Sequence, residues 1–253
     1  MLIKACLNGA RRRREHPAIP VTPAELAAES QRTVEAGAGA LHVHPRAADG
    51  SQTLDPAACD AALLAIRHAC PGVPVGLSTA SFIEPDSTQR LTLISTWTER
   101  PDFASANFRE EGVVELCELL HRLGIGIEAG LSTVADAEAL IDSGWERHLV
   151  RVLVEPLDRE PADAVAEAER ISTALDRADV EAHRVYHGFD LATWPVIELG
   201  LDGGWDVRVG LEDTLQLPDG STASGNAGLV AAVVSMARKR GRLRAQDGSS
   251  GRG

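Results

Sequence analysis

Short runs of apolar and β-branched residues alternate with longer amphipathic runs from one end of the 253-residue chain to the other. This alternation constrains the fold most strongly, because parallel strands can be joined only by crossover segments that cover the sheet. Eight runs predict strands: Leu2–Asn8, Ala40–His44, Val73–Ser78, Asp102–Asn107, Gly126–Glu128, His148–Glu155, Glu181–His187 and Asp206–Glu212. Eight strands favour closure over an open sheet, and about 250 residues is the usual size of such a barrel. The expectation is an α/β protein, a (β/α)8 TIM barrel formed as a single domain by residues 1–240, with a frayed tail at 241–253 rich in glycine, serine and charge.

Helix starts agree with this spacing. Thr22-Pro23-Ala24-Glu25 reads as a capping box with proline in the first helical turn, and Asp55-Pro56 repeats the cap-then-proline order. Glycines at 37 and 39, 124 and 126, and 200, 203 and 204 fall between helical runs and the following strands, as punctuation and not as phosphate loops. With 44% hydrophobic and 25% charged residues the chain has the makings of an ordinary core. A net charge of −12 argues against a nucleic-acid partner, which calls for a basic face. Cys6, Cys59, Cys70 and Cys117 are scattered without paired spacing and read as reduced core residues. The basic run near the N-terminus follows a short apolar stretch, the reverse of a secretory signal, and no stretch is apolar for long enough to cross a bilayer. A cytoplasmic enzyme without a membrane partner is expected.

In a barrel of this kind chemistry is built where the strands end. The predicted strands end, in order, on Asn8, His44, Ser78, Asn107, Glu128, Glu155, His187 and Glu212. Any one of these can simply mark the start of a loop, but eight together point to a polar mouth. His42 and His44 flank Val43, so the two-residue period of a strand turns both imidazoles to one face. Taken alone the pair is equally consistent with two ordinary polar histidines. Glu212 supplies the third donor: in a closed barrel only the first strand separates the eighth from the second. Two histidines, one carboxylate and an open position form the donor set of a catalytic zinc site. A salt bridge to Arg208, on the same strand face, is the other reading of Glu212. Arg208 beside Asp213 can keep that aspartate ionised as a base, and Ser78 and Ser105 are hydrogen-bond donors for a carboxylate or carbonyl. Asn107, ending the same strand as Ser105, joins them as a substrate contact.

The segments LNGAR, IPVTPAEL, LHVHPR, GLST and RVGLEDT, in this order, resemble the β-keto acid cleavage enzymes from about Lys4 to the helix after Asn226. The resemblance implies a TIM barrel holding one Zn2+ per chain on His42, His44 and Glu212. It implies transfer between a β-keto acid and acetyl-CoA, giving acetoacetate and a new acyl-CoA. In that scheme Ser78 and Ser105 hold the acid end of the keto acid, and Arg208 and Asp213 are catalytic, Asp213 deprotonating acetyl-CoA. A homo-oligomer, a tetramer, is also expected, with helical segments such as VVELCELLHRL offering apolar surface. One departure stands out. The family's enzyme for an amino substrate carries an acidic residue after the glycine-alanine of the first strand, and this chain has Arg11. If Arg11 faces the pocket, charge complementarity favours an anionic or polar keto acid; the alternative is that Arg11 to Arg14 form a solvated loop.

Two other kinds of metal-dependent barrel use related donor sets. Amidohydrolases place H-x-H on the first strand and add histidines from the middle strands, whereas here the first strand is CLNG and the middle strands offer only His148. Claisen-type lyases related to hydroxymethylglutaryl-CoA lyase carry the acidic ligand early and H-x-H late, the reverse of this chain. A non-catalytic barrel would have shed some of the ligand, base and arginine set, all of which is present.

Overall fold

A computed structural model describes residues 1–158 and 160–243. Its eight strands are β1 (Ile3–Cys6), β2 (Ala40–Val43), β3 (Val75–Leu77), β4 (Phe103–Asn107), β5 (Gly126–Leu131), β6 (Leu149–Val154), β7 (Arg184–Tyr186) and β8 (Asp206–Val209). Each is parallel to the next and β8 pairs with β1, so the sheet closes in chain order as a (β/α)8 barrel. Between and after them run α1 (Pro23–Glu35), α2 (Pro56–Ala69), α3 (Ser87–Ser95), α4 (Val113–Arg122), α5 (Val134–Ser143), α6 (Pro161–Arg177), α7 (Thr193–Gly203) and α8 (Asn226–Lys239).

The predicted caps form. The Thr22 hydroxyl accepts from the Glu25 amide while the Glu25 carboxylate accepts from the Thr22 amide. These bonds, with Arg13 alongside, hold the Glu25 carboxyl down at about 2. Asp55 accepts from the amides of Ala57 and Ala58 at the start of α2. The apolar face of α4, carrying Leu116, Cys117, Leu119 and Leu120, packs into the core between barrel and helices. The barrel itself therefore uses the surface that the sequence offers for an interface. The four cysteines are buried and free. No helix among the described residues is long and apolar enough to cross a membrane. Of the expected frayed tail at 241–253, residues 244–253 lie outside the described residues.

Strands are shorter than the sequence predicts, with one exception. Several polar residues expected to end strands (Asn8, His44, Ser78, Glu155, His187 and Glu212) sit just past the last strand residues, where loops begin. The exception is β5, which continues to Leu131, so Glu128 is an interior residue and not part of the mouth. Its surroundings explain why a carboxylate is tolerated there. Lys4 of β1 donates to Glu128 Oε2, and Arg151 of β6 lies 3.4 Å from Oε1. The Lys4 ammonium and the Arg151 guanidinium also lie over the Phe103 ring, 5.3 and 4.9 Å from its centroid. The pairing of Cys6 with His42 places Lys4 two residues deeper on β1 than the histidine level. A charged plug thus fills the barrel where most interiors hold branched aliphatic side chains.

Charges taken out of water depend on one another, and removing one partner strands the other. Lys4→Met is expected to lower stability to urea by roughly 3 kcal/mol. Adding Glu128→Gln should recover part of that loss, because the pair act as a unit; strictly additive losses in the double variant would show that the two are not coupled.

Candidate active site

The strand ends surround a cavity of about 630 Å³ at the carboxyl end of the barrel. Its wall includes His42, His44, Ser78, Ser105, Asn107, Arg208 and Glu212, together with Arg11. All but one of the residues expected to form a site therefore face a common space. The exception is Asp213, which is fully buried behind Arg208 and forms no part of the cavity wall.

His42 lies within β2 and His44 one residue past its end, while Val43 points into the helix layer. Asn8 fixes the second histidine through its backbone. Its Oδ1 accepts from the His44 amide at 2.9 Å, and its Nδ2 donates to the His44 carbonyl at 2.9 Å and to that of Pro20 at 3.2 Å. One amide side chain thus continues the β1–β2 ladder where the strands have parted. The His44 ring is held from both sides: its Nδ1 donates to Gln52 Oε1, and Phe82 stacks on it at 6.2 Å between centroids and 12° between planes. The Gln52 contact engages Nδ1 and leaves Nε2 as the nitrogen that faces His42 and Glu212.

The turn after β8 delivers the acidic residues. Gly210 passes so close to β1 that a Cβ there would lie 1.9 Å from the Cys6 carbonyl oxygen. Asn226, at the start of α8, accepts from the Leu211 amide at 2.7 Å and pins the turn. Glu212 then folds over Gly9, whose φ of 51° and missing side chain leave the room: a Cβ there would lie 2.3 Å from Glu212 Cγ.

These constraints bring three donors together. His42 Nε2 lies 3.3 Å from His44 Nε2, which lies 3.4 Å from Glu212 Oε1. The donor atoms of all three residues fall within 4.8 Å of one another. The salt bridge that is the other reading of Glu212 is present, since Arg208 donates to the same Oε1 at 2.6 Å. Burial works to raise the Glu212 carboxyl, but Arg208 and His44 hold it well below the carboxylate range, so it is an anion. Burial pushes His42 well below its usual value, so its ring is neutral. His42 Nδ1 and Glu212 Oε2 are buried without a hydrogen-bond partner among the described residues. Two imidazoles with facing nitrogens beside an ionised, half-satisfied carboxylate have the chemistry of an N2O ligand set, and a divalent cation fits it.

Behind the donors, Asp213 faces Arg208 through both oxygens, at 2.7 and 3.3 Å. Burial raises its carboxyl and Arg208 opposes the shift. His187, held neutral by burial, lies 3.7 Å from Asp213 through Nδ1 and 3.0 Å from Glu155 through Nε2. Glu155 forms part of the cavity wall, and burial raises its carboxyl as well. Arg11 reaches the wall, but its guanidinium is engaged there. It donates to Asp190 at 2.5 Å and to the carbonyls of Glu212 and Asp213 at 3.3 and 3.4 Å. Asn107 donates to Glu110 at 2.8 Å. Sequence reasoning passed over Gln52, Phe82 and Arg109, which lie in loops beyond the strand ends, where no periodicity marks a direction.

The beta-keto acid cleavage enzyme family model matches residues 1–148 and 161–247. A 3-keto-5-aminohexanoate cleavage enzyme of Fusobacterium nucleatum is 29% identical over 96% of this chain and 93% of its own. The 3-oxoadipate:acetyl-CoA acetyltransferase of Cupriavidus necator is 27% identical over 91% and 86%. Among solved structures, the binary complex of ObcA with oxaloacetate superposes with a TM-score of 0.71 at 17% identity, a likeness of fold. That match covers 89% of this chain, which spans 64% of the ObcA chain.

The second contact of a metal-ligating histidine sets its tautomer and aim, and losing it typically costs ten- to a hundred-fold in affinity. If the three donors hold a divalent metal, Gln52→Ala is expected to weaken its binding by about tenfold or more, measured by competition with a chromophoric chelator. Unchanged affinity would show that Gln52 does not orient His44.

Proposed function

The chain belongs to the beta-keto acid cleavage enzyme family, and from that premise we propose that it is a zinc enzyme converting a β-keto acid and acetyl-CoA into acetoacetate and a new acyl-CoA. The observation that carries the proposal is the convergence of His42, His44 and Glu212 on the wall of one cavity with Arg208, Ser78 and Ser105. The two curated relatives described above are named for acting on an amino keto acid and on 3-oxoadipate with acetyl-CoA. A shared reaction on differently charged acids is the reading that fits both.

In this reading the carbon–carbon bond between the ketone and the CH2–COO⁻ unit of the keto acid breaks. The CH2–COO⁻ unit joins the acetyl group as acetoacetate, and the remaining acyl group leaves on CoA sulfur, so that no free CoA accumulates. His42, His44 and Glu212 would hold the metal, which when bound would supply Lewis acidity to the ketone and fixed charge for its developing oxyanion. Ser78 and Ser105 hydrogen-bond the acid end of the substrate, and Asn107 and Arg11 complete the wall around it. Arg208 opposes the upward push of burial on the Asp213 carboxyl. A carboxylate oxygen of Asp213 takes a proton from the CH2 between ketone and carboxylate of the keto acid rather than from the acetyl methyl group, since that carbon is the one that bonds to the acetyl carbonyl as the acetyl–sulfur bond breaks. Because Asp213 stands behind Arg208, this transfer needs a side-chain rotation when substrate enters; hydrogen bonds of this kind often tighten only in the substrate complex. A second assignment of the base has its own observation: Glu155 already faces the cavity and is held by His187. The homo-oligomer common in the family is part of the same proposal.

Purified protein carrying about one zinc per chain should form acetoacetate from acetyl-CoA and a β-keto acid. Asp213→Asn should lower kcat by roughly 10²- to 10⁴-fold with zinc retained, the usual contribution of a general base. A comparable loss in Glu155→Gln, with Asp213→Asn active, would move the base to Glu155. Metal-replete protein inactive with every β-keto acid tried would refute the assigned reaction.

A further inference from the structure

Three arginines form part of the cavity wall: Arg11, Arg109 and Arg208. Two of them already face carboxylates. Arg208 lies 2.6 Å from Glu212 and 2.7 Å from Asp213, and Arg11 lies 2.5 Å from Asp190 and 3.7 Å from Glu15. Arg109 differs. Among the described residues no carboxylate lies within ion-pairing distance of it, and its guanidinium donates to a neutral hydroxyl, Ser132 Oγ, at 3.3 Å. Ser132 is itself fixed, its amide donating to Asp136 at 2.7 Å in the cap of α5. Glu155 feels the Arg109 charge, but its carboxylate is bound on the other side by His187 at 3.0 Å.

Arg109 lies just past the end of β4. Ser105 and Asn107 lie at alternate positions of that strand, and Arg109 comes two residues later. At about 3.3 Å per residue the three climb the cavity wall, from a buried serine to an exposed arginine at the rim, over at most about 13 Å. A molecule whose acid end lies against Ser105 has its far end toward Arg109. A guanidinium that is tethered but not neutralised, at the rim of an otherwise compensated cavity, is built to receive a carboxylate in a forked pair.

We propose that Arg109 is the specificity-determining residue of this cavity and that it selects β-keto acids carrying a second carboxylate at the end distant from the keto group. This rests on the function proposed above for the cavity, and it moves the source of anion selectivity from Arg11, whose charge is already met, to Arg109.

The test pairs 3-oxoadipate with 3-oxohexanoate, which has the same chain length and no second carboxylate. Binding of each to the metal-loaded protein is measured by calorimetry without acetyl-CoA, and kcat/KM for each with it. The native protein should prefer the dicarboxylate, and Arg109→Gln should reduce that preference tenfold or more in both measurements, with Arg109→Lys in between. Arg11→Gln should leave most of the preference in place. Loss of the preference in Arg11→Gln but not in Arg109→Gln would overturn the assignment. So would an Arg109→Gln defect that appears as a raised KM for acetyl-CoA and vanishes with acetyl-pantetheine, since Arg109 would then bind the phosphates of CoA. If calorimetry shows the Arg109-dependent preference while no acetoacetate forms, the inference stands and the proposed reaction falls.

Discussion

The hydrogen bonds that close β8 onto β1 are the constraint on which the site depends. They bring residues near position 42 and residues near position 212, far apart in the chain, to opposite sides of a single strand. Closure this tight requires Gly210, since any side chain there would collide with the Cys6 backbone. It also requires Gly9, over which Glu212 folds to reach His44. The two glycines and the three donor residues are one arrangement, and none of the five has its observed position without barrel closure.

Closure also sets the electrostatics. Within the barrel, Lys4, Glu128 and Arg151 compensate one another around Phe103, and nearer the mouth Arg208 is shared between Glu212 and Asp213. Lys4, Glu128, Arg208 and Asp213 are buried and Arg151 and Glu212 are partly so, which makes each charge depend on its partner's presence and geometry. The neutral His42 and His187 sit in the same surroundings, where burial and nearby cations disfavour a further positive charge. A barrel interior of this composition gives up part of the stability an aliphatic filling would bring. In exchange, the donors at the mouth are held in place by fixed neighbours: His44 by Asn8, Gln52 and Phe82, and Glu212 by Arg208.

Much of this was legible in the sequence, for identifiable reasons. Strand alternation, the Thr22 and Asp55 caps and the H-x-H period are local patterns, and local patterns survive into the fold. Glu212 could be placed because barrel closure carries its own geometric rule. Glu128 was misplaced at a strand end because its partners, Lys4 and Arg151, come from other strands and leave no mark on the local pattern. The exposed position of Arg109, the contact of Gln52 with His44 and the burial of Asp213 behind Arg208 depend on loop paths, which no period in the sequence encodes. Arg11 was legible as a residue near the pocket, but the carboxylate that meets it, Asp190, lies beyond β7 and is visible only in three dimensions.

The central claim, that His42, His44 and Glu212 form one metal site within the substrate cavity, is tested most directly by anomalous X-ray diffraction. Data would be collected on either side of the zinc absorption edge from crystals of protein prepared without chelator and soaked with a β-keto acid. The account predicts a single strong anomalous peak bonded to both imidazoles and the carboxylate, with the keto acid against it and its acid end toward Ser78 and Ser105. A cavity holding the keto acid with no anomalous peak among the three residues, at full zinc supply, would contradict it.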